Sequence, residues 1–126
     1  MNEIKNLIED LGIAALEANT KIARIAVVSD SGNIIFQTEN FDLTNQTKII
    51  SDVIKGIRSF VFNNIEFSVD ETNTEGIIGT NDGGMGHLIF IPFQGGVLVA
   101  YAMPKADPMK ALLFLKDYAS KLNGKI

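Results

Sequence analysis

Two stretches constrain this chain more than anything else in it. His87 to Phe93 and Val97 to Met103 are almost continuously apolar, with only Gln94-Gly95-Gly96 between them. A strand with one wet face alternates apolar and polar residues, whereas a continuous apolar run implies cover on both faces. The short glycine-containing break reads as a hairpin loop, so the two strands pair antiparallel. A sheet buried on both sides needs helices above and below it.

The rest of the chain supplies those helices and further strands. Ile4, Leu7, Ile8, Leu11, Ala15 and Ala18 recur at helical spacing, with Gly12 weakening the middle and Asn19-Thr20 as the stop. Ile22 to Val28 and Ile34 to Thr38 read as strands around the turn Asp30-Ser31-Gly32-Asn33. A second helix starts from an N-cap at Asp42 or Thr44 and carries Ile49, Ile50, Val53, Ile54, Ile57, Phe60 and Val61. At 100° per residue these fill an arc of roughly 140°, wider than one sheet contact needs, with Gly56 near its edge. Asn63 to Glu75 reads as a polar connector, in which Glu66 to Val69 alternates like a short strand. Gly76 to Thr80 is a further short strand, and Asn81 to Gly86 a hairpin loop. The last helix starts at Asp107-Pro108, a capping residue followed by the imino acid suited to the first helical position, and stops at Asn123-Gly124.

The expectation is one α/β (α+β) domain over residues 1–126: a three-layer α/β/α sandwich around a five-stranded antiparallel sheet, in the order α-β-β-α-β-β-β-α. The chain is long enough to bury a core without staples.

Function is bounded mostly by exclusions. There is no cysteine, which removes disulfides, thiolate metal sites and thiol catalysis. The formal net charge of −4 argues against a nucleic-acid partner. Charged residues interrupt the N-terminal apolar pattern, so no secretory signal is read there, and no apolar run is long enough to insert in a membrane. The expected location is the cytoplasm, and Asn45-Gln46-Thr47 is a chance sequon.

His87 is the only histidine, so no triad or paired-histidine metal site can be assembled. Asn81-Asp82-Gly83-Gly84-Met85-Gly86 leads into a strand rather than a helix and lacks the lysine and hydroxyl of a phosphate loop. Asp70, Glu71 and Glu75 do not match calcium-loop spacing. Lys48, Lys55 and Arg58, like Lys110, Lys116 and Lys121, read as solvated helix faces, and Phe36, Phe90 and Phe93 as core. Carboxylate-only catalysis needs no histidine, but no spacing recommends a pair. No catalytic, cofactor or metal residue is assigned, and the chain is read as a non-enzyme.

The order of elements, the Val28-Ser29-Asp30-Ser31-Gly32 hairpin and the strand running through Tyr101 into Ala106-Asp107-Pro108 resemble the roadblock/LC7 superfamily, archaeal members above all. The long 63–75 connector and the glycine-rich 82–86 turn depart from that pattern. The resemblance implies a dimeric scaffold or adaptor: a homodimer, or a pair with a paralogous roadblock protein, that binds and regulates a small Ras-like GTPase. Its interface is then expected at Ile49, Ile50, Val53, Ile54, Gly56 and Ile57 of the second helix and at Gly76, Ile77, Ile78 and Thr80 of an edge strand. The competing expectation is a profilin-like or PAS-like sandwich acting as a small-ligand sensor, with Tyr101, Thr38 and His87 as the candidate polar groups.

Overall fold

The structure, a computed structural model, describes residues 3–18, 20–38, 41, 43, 47–72 and 76–125, the side chains at 3, 16 and 70–72 excepted. Helix α1 spans Glu3–Glu17, followed by strands β1 (Ile22–Ser29) and β2 (Ile34–Gln37) and helix α2 (Thr47–Ile54). Then come β3 (Ser59–Phe62), β4 (Ile65–Thr72), β5 (Ile77–Thr80), β6 (His87–Phe93), β7 (Gly96–Ala102) and helix α3 (Pro108–Leu122). The strands form one antiparallel sheet in the order β2-β1-β7-β6-β5-β4-β3.

The expected antiparallel sheet with helices on both sides is present. It has seven strands among the described residues, not five, and the element order changes accordingly. The two additional strands come from the region read as the end of the second helix and the connector. There Phe60 and Phe62 are buried while Ser59 and Val61 are exposed, a period of two that places alternate residues on opposite faces. Asn63 and Asn64 both have positive φ, 49° and 66°, and Phe62 pairs with Ile65 across them. That is a two-residue hairpin of the type asparagine tolerates.

Helix α2 stops at Ile54 because Gly56, at φ 107°, turns the chain left-handed. The Gly56 N–H donates to the Val53 carbonyl and the Ile57 N–H to the Asp52 carbonyl, the paired bonds of a Schellman ending. Helix α1 runs through Gly12 without a break. Asp107 caps α3, its side chain accepting from the Lys110 N–H at 3.2 Å, with Pro108 in the first turn. The proposed N-caps Asp42 and Thr44, the Asn19 half of the Asn19-Thr20 stop and Asn45 of the sequon lie outside the described residues. Thr20 follows the end of α1 and donates its hydroxyl and N–H to the Ala15 carbonyl.

Two cores flank the sheet. On one side α1 and α3 bury Ile8, Leu11, Leu112 and Leu115 against Ile25, Val27, Ile89 and Leu98. On the other, Ile50 and Val53 of α2, with Phe41, Leu43 and the aromatics of β3 and β4, cover Ala26, Val28, Phe90 and Val99. Among the described residues no helix is long and apolar enough to cross a membrane.

Candidate functional site

The expected interface residues do not form one surface. Ile50 and Val53 are buried in the α2-side core, and Ile49 packs against it. Only Ile54 and Ile57, 37% and 36% exposed, show much of their side chains, and Gly56 is the helix ending just described. Gly76, Ile77 and Ile78 are buried and Thr80 half-buried. Their strand β5 is hydrogen-bonded between β4 and β6, so it is not an edge. Ile49 and Ile54 by themselves bound the wide apolar arc, and most of it is buried against the sheet, while Ile57, Phe60 and Val61, counted within it, lie beyond the end of the helix.

The polar groups proposed for a ligand site also stay apart. Thr38 Oγ1 accepts the Ile25 N–H at the end of the β1–β2 ladder. Tyr101 packs against the α2-side core and donates its hydroxyl to the Met85 carbonyl at 2.7 Å. His87 starts β6, where Leu88 and Phe90 belong to the α2-side core, so alternation puts it on the opposite face. Its Nδ1 lies 2.8 Å from Thr80 Oγ1, while its Nε2 is buried with no partner. The glycine-rich loop joins β5 to β6, held by Asn81, which donates from Nδ2 to the Glu66 carbonyl and accepts the Met85 N–H at Oδ1. Of the acidic trio, the side chains of Asp70 and Glu71 and all of Glu75 lie outside what is described. Among the described residues no group of three or more His, Asp or Glu is placed to hold a metal.

What the fold does build is an open half-sheet. Helix α3 lies over β6, with fewer contacts to β7 and β5, and α1 lies over β1 beside it. The α1/α3-side face of the β3–β4–β5 half carries Ser59, Val61, Glu66, Ser68 and Thr80, every one exposed or half-exposed, with His87 continuing the row on β6. Val61 is a 52% exposed apolar side chain on a sheet face, and Leu113 of α3 is 50% exposed. Leu113 shares a helix flank with Lys116 and Ser120, which line a crevice against Ile91, Pro92 and Phe93 of β6. Polar and apolar groups mixed on a flat face bordered by a helix suit contact with another protein better than enclosure of a small molecule. Sequence reading missed this surface because β3 was taken as the end of the second helix and β4 was read only as a connector with a short alternating stretch at Glu66 to Val69. The available signals were Gly56 as a helix stop and the Asn63-Asn64 turn.

No family model matches the chain. Among curated relatives, Loki profilin-2 from Lokiarchaeum sp. is 34% identical over 131 residues, spanning 95% of this chain and 95% of the relative. Loki profilin-1 from the same organism is also 34% identical, spanning 98% of each. Among solved structures, a Loki profilin-2 complex with rabbit actin superposes with a TM-score of 0.88 at 32% identity, covering 100% of this chain and 99% of that one. Loki profilin-1 in complex with rabbit actin also superposes at 0.88, at 30% identity, covering 100% and 98%.

These findings overturn the roadblock/LC7 resemblance. The hairpin and the capped last helix that carried it are generic parts of an antiparallel sheet with helices on its faces. The homodimer, the paralogous roadblock partner and the GTPase-binding scaffold fall with it, since the two solved neighbours just described are complexes with actin. The profilin-like half of the competing expectation fares better than the leading reading. Similar in sequence to the Loki profilins from end to end and superposing on them over its whole length, this chain belongs to the profilin family.

Proposed function

We propose that this protein binds actin and acts by association rather than catalysis, in the compartment that holds actin, the cytoplasm. The observation that carries the reading is the end-to-end superposition on a profilin solved in complex with actin. The open half-sheet with the adjoining flank of α3 is the contact surface in this reading. It is the broad face of the sheet left without a helix, and it offers exposed apolar anchors at Val61 and Leu113 within a polar surround.

Titration of purified rabbit actin tests the proposal. Saturable binding of the unaltered chain is expected. Val61→Glu and Leu113→Glu, each placing a charge where a contact would desolvate it, weaken binding by at least about tenfold. Both positions are exposed, so the thermal midpoint stays within about 2 °C of the unaltered chain. No association with actin overturns the function, while unaltered binding by both variants overturns the assigned face.

A further inference from the structure

We infer that a recess on the opposite, α2-side face of the sheet binds a small planar aromatic anion. The recess holds about 280 Å³ and is lined by Arg24, Phe41, Phe62, Phe67, Met85 and Tyr101, among others. That is close to the lower end of the volumes of small-molecule sites and suits a single-ring body with a short acidic arm.

Arg24 is the unusual member. It lies on β1 in the row continued by Ala26 and Val28, both in the core, and it pairs across the ladder with Tyr101. Its guanidinium carbon sits 5.4 Å from the Tyr101 ring centroid. This cation–π contact uses the charge of Arg24 without using its N–H groups, none of which donates to another described residue. No described carboxylate forms an ion pair with Arg24.

The remaining walls are set before any ligand arrives. Phe41, Phe62 and Phe67 are buried, and the Phe41 and Phe62 rings lie 5.8 Å apart in a tilted contact. The Tyr101 hydroxyl is engaged by the Met85 carbonyl, and the Met85 N–H is engaged by Asn81 Oδ1. A ligand therefore spends little of its binding energy ordering side chains. The three phenylalanines, packed on other rings, form an apolar floor beneath a flat body. Arg24 offers a fork of donors to a carboxylate. The same charge rejects a cationic analogue of equal shape.

The simpler account is that Arg24 only lays its stem along apolar surface and stacks on Tyr101, with no ligand. A titration of the full chain followed by amide NMR separates the two. With 3-phenylpropionate as the probe, saturable shifts are expected at Arg24, Phe62, Phe67 and Tyr101. Neutral 3-phenylpropanol binds about tenfold more weakly, having lost the charged hydrogen bonds, and 3-phenylpropylamine gives no saturable shift there. Arg24→Gln brings the acid down to the affinity of the alcohol, and Arg24→Lys falls between. If either variant fails to fold, the three probes on the unaltered chain still decide. The inference is overturned if the acid does not saturate by on the order of 10 mM, a very weak affinity by any standard. Equal binding of acid and alcohol, or shifts confined to another surface, overturns it as well. None of these outcomes depends on whether actin binds.

Discussion

Two glycines show how differently the same residue is used. Gly96 opens β7, pairing with Ser29 on one side and Phe93 on the other. A Cβ there would run into the Val28 carbonyl oxygen and lie 3.2 Å from the Ser29 Cα. Backbone cannot step aside without breaking the β1–β7 ladder, so Gly96→Ala is expected to destabilise the protein by about 2–4 kcal/mol. Gly12 lies within α1 with nothing inside 4 Å of its would-be Cβ. There the same substitution removes only backbone entropy, and Gly12→Ala is expected to stabilise by about 0.5–1 kcal/mol. Urea unfolding of the pair checks both signs at once. What was legible at this scale follows the reach of the chemistry. Asp107 could be read as a cap because capping acts over three residues. The need for glycine at 96 depends on a strand some seventy positions away, which no local pattern records.

At the scale of elements, the outcome turned on where α2 ends. Ile57, Phe60 and Val61 fit helical spacing from Ile50, Val53 and Ile54, and the same three residues fit a chain that turns at Gly56 and then alternates. Hydrophobic periodicity alone does not separate these when the overlapping run is this short. Gly56 and Asn63-Asn64 do, through the sign of φ they adopt. The two arrangements make opposite predictions for Gly56→Ala. Inside a helix alanine would stabilise by about 1 kcal/mol. At φ 107°, in a Schellman ending, it is expected to destabilise by about 1 kcal/mol. Thermal unfolding of this variant reads the sign directly. The apolar central strands, by contrast, were legible at once, since a strand such as Leu88 to Ile91, apolar on both faces, must lie in a layer covered from both sides, and all four residues are buried.

At the scale of the molecule, the candidate surface belongs to no single element. It exists because two helices cover one part of a seven-stranded sheet and leave the β3–β4–β5 part of the same face open. That depends on strand order, and strand order is not written in local periodicity. Reading β3 as helix and β4 as connector therefore removed the surface together with the strands. The same gap left generic features to suggest the wrong family. Strand order also sets local stability. The β3–β4 hairpin closes one end of the sheet, with β3 hydrogen-bonded on one side only, while β1, β7 and β6 lie between partners and beneath helices. Amide exchange in the free protein should accordingly be faster in the edge strands β3 and β2 than in β7 and β6, since edge segments open at lower free energy than central ones. If actin docks on the open half-sheet, adding it slows exchange in β3, β4 and β5 and along α3. Peptides covering β2 and the first turns of α1, at the opposite end of the sheet, keep their free rates. Protection appearing at β2 and α1 instead, with β3 to β5 unchanged, would place actin elsewhere even if binding itself were intact.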